Sequence, residues 1–240
     1  TLLRMADDAV YSELLAAWHK LRYTRGLEKI DACLGYGHSG HVYFFGNNRY
    51  VRWLPGFGVE TVQTNVALRQ IGVSGWRGFP TDFKDGIDAA LWHPHNRHAY
   101  FFKGNDYIKW KPGQGLVDPA VRQIGDTGWR GLPPEFCTSI DAALAHPTNG
   151  HIYFFKDSLY CKWKPTQGVV EPAVREVGVH GWKLPADMVT NGIDAALTHP
   201  TTNNIYFFSG ADYCVWVPGQ GVISPRIRQT GIDGWEGLMF

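Results

Sequence analysis

Residues 87–110 read IDAALWHPHNRHAYFFKGNDYIKW, and close copies of this stretch occur three more times in the chain. The other copies begin at Ile30, Ile140 and Ile193, so successive copies lie 57, 53 and 53 residues apart. Each copy is followed by a Gly-Trp pair, whose tryptophans are Trp76, Trp129, Trp182 and Trp235. Self-similarity at a nearly fixed period indicates a repeat architecture in which each copy is one supersecondary unit.

Each unit reads as a series of short strands. IDAAL is an apolar run suited to a buried strand, AYFFK is rich in strand-forming aromatic residues, and DYIKW is a third strand. The proline of Trp-x-Pro ends that strand because it cannot donate to a ladder. VRQI gives a short fourth strand, and about one helical turn follows each Gly-Trp pair. The first unit carries about four extra residues near 61–65, which we place in a loop.

Four strands in each of four units predict an all-β fold, a four-bladed β-propeller over residues 27–240. The blades are expected near residues 27–80, 81–134, 135–187 and 188–240. Residues 1–26 match no unit, and their apolar residues at helical spacing predict a short N-terminal helix. That helix covers the seam between the first and last blades, forms a homodimer contact, or is the remnant of a linker to a lost domain.

Composition narrows the classes of function. The formal net charge is +1, which gives no field that would favour nucleic acid as a partner. No apolar run is long enough to span a bilayer, and the first residues show no signal-peptide pattern. The sequence holds no Gly-x-Ser-x-Gly, P-loop or dinucleotide fingerprint, so we expect a protein that is not an enzyme.

The four cysteines are expected to be free thiols. Cys161 and Cys214 occupy equivalent positions in neighbouring units, and equivalent positions around a ring lie too far apart to form a disulfide. The other two are Cys33 and Cys137. Free thiols favour an intracellular location slightly.

The repeated phrases Asp-Ala-Ala, Tyr-Phe-Phe-Lys-Gly, Tyr-x-x-Trp and Gly-Trp-x-Gly-Leu-Pro resemble the hemopexin repeat. That family includes hemopexin, the C-terminal domain of matrix metalloproteinases, vitronectin, plant seed albumins and some fungal lectins. The resemblance implies that each repeat is one blade and that the first strands line a central tunnel. Several animal members join the first and last blades with a disulfide, but no cysteine lies near Phe240. Ring closure is therefore expected to depend on packing.

The resemblance also implies a cation in the tunnel, calcium or sodium, with chloride nearby. Haem is not expected, because histidines at equivalent positions around a ring are too far apart to reach one metal together. In the family, two rings of backbone carbonyls hold such cations. The first ring corresponds to Asp31, Asp88, Asp141 and Asp194. The second ring corresponds to Cys33, Ala90, Ala143 and Ala196. Alternatively, each Asp side chain only bonds backbone N–H groups at a strand start.

Candidate ligand-binding residues are those that recur in three units and change in the first. A feature that the fold needs should appear four times, as the Arg before Gly-Trp does, whereas a ligand needs fewer copies. This criterion selects His93, His146, His199, Gln114, Gln167 and Gln220. Unit one has Tyr36 and Phe57 at these two positions. Stabilisation of the turn is the alternative role for the histidines.

Three classes of function stay open at this point. The leading hypothesis is a carbohydrate-binding lectin with one site per blade, because near-identical units would present several equivalent weak sites to glycans. The alternatives are a haem- or polyamine-binding carrier or storage protein and a protein-docking module.

Overall fold

A computed structural model describes residues 26–63, 65–126 and 128–238. Within them the chain forms four antiparallel sheets, which are the four blades of a β-propeller. The predicted N-terminal helix lies outside the described residues. No helix in the described ranges is long and apolar enough to cross a bilayer.

The blades share one strand order. Blade one contains β1 (Ala32–Tyr36), β2 (His41–Gly46), β3 (Arg49–Leu54), β4 (Gly58–Val59) and β7 (Arg69–Gln70). Blade two contains β8 (Ala89–Trp92), β9 (Ala99–Lys103), β10 (Asp106–Lys111), β11 (Gly115–Leu116) and β12 (Arg122–Gln123). Blade three contains β13 (Ala142–Ala145), β14 (Ile152–Lys156), β15 (Leu159–Lys164), β16 (Gly168–Val169) and β17 (Arg175–Glu176). Blade four contains β18 (Ala195–Thr198), β19 (Ile205–Ser209), β20 (Asp212–Val217), β21 (Gly221–Val222) and β22 (Arg228–Gln229).

The outer edge of each blade differs from the prediction. Two strands of two residues each share the edge of the third strand, instead of one fourth strand: β4 pairs with one end of β3 and β7 with the other. The extra residues of unit one are also not a plain loop. They form a small hairpin of β5 (Thr61–Val62) and β6 (Asn65–Val66). The helical turns expected between blades are α1 (Thr81–Lys84), α2 (Pro134–Thr138) and α3 (Ala186–Asn191).

The Tyr-Phe-Phe phrase explains why the blades form a ring. Successive residues of a strand point to opposite faces of the sheet, so the two phenylalanines of each blade face its two neighbours. Each therefore meets a phenylalanine of the adjacent blade edge to face, with ring centroids 5.5–5.8 Å apart. The four pairs are Phe45–Phe101, Phe102–Phe154, Phe155–Phe207 and Phe208–Phe44. All eight rings are completely buried.

The first and last blades close the ring by packing, with no disulfide between them. Strands β1 and β18 lie side by side at the axis. The Trp235 ring of blade four packs 5.0 Å from Phe44 and 4.8 Å from Trp53 of blade one. At the axis the backbones approach so closely that a Cβ on Gly35 would stand 2.1 Å from the Thr198 carbonyl oxygen.

The Gly-Trp pair and the Tyr-x-x-Trp phrase recur together for a steric reason. In blade three, the Tyr160 hydroxyl donates to the His180 carbonyl oxygen at 2.8 Å, which brings it against Gly181. A Cβ on Gly181 would stand 2.5 Å from that hydroxyl, and the other blades are as crowded at this position. Glycine therefore allows the loop to lie against the tyrosine and directs the following tryptophan into the junction between blades.

Candidate functional site

The four repeated aspartates gather at one mouth of the central tunnel. Asp31, Asp88, Asp141 and Asp194 line a cavity of about 440 Å³ there. Each carboxylate accepts a backbone N–H from the turn between the second and third strands of its own blade, at 2.6–2.7 Å. The Asp side chains therefore bond backbone N–H groups, which was the alternative to a cation-binding role. The bonded N–H group lies 16 residues further along the chain, however, and not at the start of the strand.

Asp31 pairs with Lys29 at 2.8 Å, whereas Asp141 is affected by the negative charges of its neighbours. Burial raises the pKa of Asp141, and the negative charges of Asp157 and Asp88 raise it further, against the hydrogen bond from the Asp157 N–H. A cation would relieve this repulsion. No group of His, Cys, Asp or Glu side chains among the described residues has the geometry of a metal site.

The residues of the predicted second ring lie deeper, on the inner strands. Cys33, Ala90 and Ala143 line a cavity of about 220 Å³ nearer the other end of the tunnel. Ala196 is buried on β18, and its side chain packs into the core between blades three and four.

All four cysteines are free thiols, as the repeat predicts. Burial raises the pKa of Cys33 well above its ordinary value and that of Cys214 to about 12. Cys161 is also completely buried. These three thiols stay protonated at neutral pH and pack as apolar side chains.

The repeated histidines stabilise turns. The His93 Nδ1 atom accepts backbone N–H groups of His95 and Asn96 at 3.3 and 3.4 Å. His146 and His199 make equivalent bonds to the turns that follow them. Each ring also packs 5.9–6.0 Å from the Gly-Trp tryptophan of the next blade junction. Because Nδ1 is engaged by the turn, a ligand could reach these rings only through the remaining ring atoms.

Stability should fall in acid because of these histidines. Burial, with the positive charges of His95, His98 and Lys109, lowers the pKa of His93 to about 4. The unfolded chain takes up this proton near pH 6.5, so the contribution is complete above pH 6.5 and is lost as the pH falls toward 4. The shift corresponds to about 3 kcal/mol at one site. Denaturant unfolding between pH 7 and 4.5 should show this loss, and His93→Asn should make the pH dependence shallower. Exposed His38→Asn is the matched control, and an unchanged dependence in His93→Asn would contradict the assignment.

Three clefts lined by equivalent residues lie at successive junctions between blades. In the junction of blades three and four, six repeated positions supply His146, Tyr153, Lys162, Arg175, Trp182 and Trp216. The last of these belongs to the following blade, so each cleft is built by two units. The clefts have volumes of about 410, 360 and 760 Å³ from the first junction to the third, within the range of small-molecule sites.

Aromatic rings form the floor of each cleft. In the third junction, Trp182 packs edge to face against Trp216 at 5.0 Å and against Tyr153 at 4.9 Å. Equivalent tryptophan pairs lie at the first and second junctions, 5.3 and 4.9 Å apart. Trp216 is half-buried, so its ring contributes to the surface of the cleft.

Cationic side chains stand above this floor, and their partners differ between junctions. In the first junction Glu60 pairs with Arg52 and Arg69, each at 2.8 Å. Burial alone would raise the pKa of Glu60, but hydrogen bonds from the two arginines hold it below its ordinary value. The equivalent cations at the second junction, Lys109 and Arg122, have no acidic side chain among the residues that line their cleft. Arg52 and Arg69 are therefore engaged by Glu60 in the first cleft. In the second, Arg122 bonds backbone carbonyls, and Lys109 is the cation that has no acidic side chain in the cleft lining.

The predicted glutamines lie on exposed turns. Gln220 lines the third cleft together with His146, so two of the predicted ligand residues meet there, although they come from different blades. Gln114 and Gln167 occupy the equivalent turns of blades two and three but line none of the three clefts. The repeated arginines have an architectural role: Arg122, for example, donates to the carbonyls of Val117 and Asp118.

Sequence reasoning missed the cation on the third strand. The residue two positions after the tyrosine of Tyr-x-x-Trp is a cation in three units: Arg52, Lys109 and Lys162. Unit four has Val215 at this position. This position satisfies the criterion of a feature present in three units of four. The fourth unit is the exception here, whereas the first was the exception for the histidines and glutamines.

Sequence relatives are seed albumins and matrix metalloproteinases. Albumin-2 of Lathyrus sativus is 32% identical over 117 residues, which are 45% of this chain and 49% of that protein. Matrix metalloproteinase-21 of Mus musculus is 26% identical over 181 residues, 72% of this chain and 30% of that protein. The chain thus aligns with about half or less of the length of these relatives. No protein-family model matches it.

Solved structures share the architecture over nearly their whole length. A hemopexin fold protein from cow pea has a TM-score of 0.71 and 27% identity, covering 87% of this chain and 96% of that one. A Cicer arietinum albumin showing hemagglutination has a TM-score of 0.69 and 20% identity, covering 86% and 96%. A plant lectin with two metal binding sites, from the same species, has a TM-score of 0.65 and 21% identity, covering 85% and 94%.

The fold and the clefts together define a four-bladed propeller with ligand-sized clefts between its blades. The protein is a hemopexin-like propeller.

Proposed function

We propose that this protein is a non-enzymatic, carbohydrate-binding lectin whose sites are the clefts between adjacent blades. The observation that carries the proposal is the composition of these clefts. Each places the faces and edges of tyrosine and tryptophan rings beside the N–H donors of Lys or Arg. An aromatic ring packs against the C–H face of a sugar, and charged donors bond its hydroxyl oxygens.

Repetition supports the same proposal. Weak equivalent sites on one rigid ring gain affinity for a multivalent glycan through effective concentration. Two propellers of this fold are described as an albumin showing hemagglutination and as a lectin, so the class of ligand has a precedent on this architecture. At 20–21% identity these two proteins share the fold, and the sugar is not transferred from them.

The three clefts should not contribute equally. In the first, Glu60 occupies the two arginines that a sugar hydroxyl would need. In the third, Gln220 adds an amide to the lining. We therefore place the stronger binding at the second and third junctions and the weakest at the first, in keeping with Tyr36 and Phe57 at the positions where the other units carry His and Gln.

Gln220→Ala should weaken binding of a sugar found on a glycan array. Loss of one neutral hydrogen bond is worth about 1 kcal/mol, which is about a fivefold rise in Kd for the third cleft. Gln220 is exposed, so the melting temperature should stay within a degree or two of the wild type. Calorimetric titration with a monovalent sugar measures the effect. Gln70→Ala is the matched control, an exposed glutamine outside the clefts. Absence of any glycan ligand, or equal affinity of both variants, would contradict the proposal.

The proposal includes a structural cation, calcium or sodium, at the mouth of the tunnel, held by backbone oxygens and attracted by the four aspartates. Elemental analysis should find about one such ion per chain. Removing the ion, by chelation if it is calcium or by exchange into sodium-free buffer if it is sodium, should lower the melting temperature, because an ion at 100 times its Kd stabilises the folded state by about 2.7 kcal/mol. Asp141→Asn keeps an acceptor for the Asp157 N–H but removes one charge, and should reduce the effect of the ion. A purified protein that contains no ion, and whose melting temperature does not change when calcium or sodium is added, would refute the structural cation.

A further inference from the structure

The cleft between blades three and four is the most cationic of the three. Four basic side chains line it: Lys162, Arg175, Lys183 and Arg226. None of the residues that line this cleft is an Asp or Glu. Its volume of about 760 Å³ is about twice that of either other cleft, whose volumes are about 410 and 360 Å³. A concave site with one sign of charge concentrates ligands of the opposite charge.

Two of these cations lie where the repeat is altered, although units one and two also carry a cation, Arg77 and Arg130, at the position of Lys183. Unit three is one residue shorter after its Gly-Trp pair, so Lys183 alone separates Trp182 from Leu184, where unit two has Arg130 and Gly131. Independently, Arg226 follows the proline before the fourth-strand arginine, where units two and three have alanine. These changes lie on neighbouring blades, about 40 positions apart in sequence, and they meet in one cleft.

A third observation concerns Arg175. Its Nη2 atom donates to the Glu171 carbonyl at 2.8 Å, which fixes the guanidinium. Its Nη1 atom is buried and has no hydrogen-bond partner among the described residues. The equivalent Arg228 of blade four has the same arrangement, with Nη2 bonded to the Ser224 carbonyl and Nη1 unpartnered within the described ranges, whereas Arg122 of blade two bonds carbonyls through both nitrogens. A buried donor without a partner is costly, and an acceptor in the cleft would satisfy it.

His180 adds another donor on the same side. Its Nδ1 atom accepts the backbone N–H of Glu176 at 3.3 Å, so the neutral ring carries its proton on Nε2. His180 lines the cleft. The corresponding residues are Ser74 in unit one and Asp233 in unit four. The donors at this junction thus outnumber those at the others.

We propose that the cleft between blades three and four binds an acidic saccharide, a sugar that carries a carboxylate or sulfate group. This inference rests on the proposed lectin function and specifies the ligand of its largest cleft. The aromatic floor of Trp182 and Trp216 takes the ring of the sugar. Arg175 and Lys162 take the anionic group, since a guanidinium fork matches both carboxylate and sulfate oxygens. Lys183 and Arg226 extend the positive lining toward solvent.

The test compares an acidic oligosaccharide with its neutral counterpart, for a carboxylated pair and for a sulfated pair, by calorimetry at low and moderate salt. The double variant Lys162→Val, Arg226→Ala introduces the residues that sibling units carry at these positions, so it should fold. Arg175 is left intact because it also supports its loop. Lys109→Val in the second cleft is the matched control.

Wild type should bind the acidic sugar at least tenfold more tightly than the neutral one, and the preference should shrink as salt rises. The double variant should lose the preference, because its affinity for the acidic sugar falls much further than its affinity for the neutral one, and Lys109→Val should retain the preference. The carboxylated and sulfated pairs identify which anion is preferred. Equal affinities for acidic and neutral sugars, or a preference that survives the double variant, would overturn the inference while leaving the lectin proposal standing.

Titration with inorganic sulfate distinguishes failure of the lectin proposal from failure of the anion-binding inference. If no saccharide binds, sulfate titration monitored by tryptophan fluorescence tests the anion-binding part by itself. Quenching in wild type that the double variant abolishes would support an anion site in this cleft. No response to sulfate, or the same response in both proteins, would overturn it.

Discussion

Replacing Phe154 by alanine is expected to lower the free energy of unfolding by about 4 kcal/mol. The ring is completely buried between blades two and three, 5.7 Å from Phe102 and 5.1 Å from Trp129. Its removal leaves a cavity in the contact that joins two blades, and the surrounding rings are too rigid to fill it. Guanidinium-induced unfolding measures the change.

A matched control for this substitution is Phe57→Ala. Phe57 is 87% exposed, and its loss should change stability by no more than about 0.5 kcal/mol. A small effect of Phe154→Ala, close to that of the control, would show that the phenylalanine pairs do not hold the blades together.

Gly35→Ala should destabilise the propeller by about 3 kcal/mol, because the new methyl group collides with backbone. A Cβ on Gly35 would stand 2.1 Å from the Thr198 carbonyl oxygen, where blade one meets blade four. The carbonyl cannot move without shifting β18. The seam has no disulfide, so the strain acts on the contact that closes the ring.

The reverse substitution at the equivalent position of blade three is the control for Gly35→Ala. Ala145→Gly removes a methyl group from β13 and should cost no more than about 1 kcal/mol. If Gly35→Ala melted at the temperature of the wild type, the close approach of blades one and four would be refuted.

The repeats in the sequence were sufficient to predict the blades and their order. Tyr-Phe-Phe alternates sides by the geometry of any strand, so one phrase fixes contacts with both neighbours. The edges were harder to predict. The strand pattern of VRQI extends over four residues, but only Arg122 and Gln123 pair with one end of β10, and Gly115 and Leu116 pair with its other end.

The clefts could not be predicted from single units because each is formed by two. His146 and Gln220 were selected separately, and no periodicity within a unit shows that one lies across a junction from the other. The asymmetry of the third cleft depends on one deletion near Lys183 and on one substitution at Arg226. Departures from a repeat are therefore as informative about a ligand as the repeat is about the fold.

Different residues of each repeat stabilise the propeller and line the clefts. The phenylalanine pairs and the glycine before each tryptophan recur in all four units and build the ring. The cations above the aromatic floor vary from junction to junction, and Glu60 shows how one acidic side chain closes a site of this plan. Changes in a few exposed residues would thus alter the ligand without altering the propeller.

The most direct test of the central claim, that ligands bind between the blades, is a titration followed by the NMR signals of the tryptophan indole N–H groups. A saccharide that binds the protein should shift the indole signals of Trp182 and Trp216, with backbone signals near the tunnel mouth, such as Gly104 and Gly210, unchanged. Shifts confined to the tunnel mouth, with the indole signals of the junctions unmoved, would contradict the account.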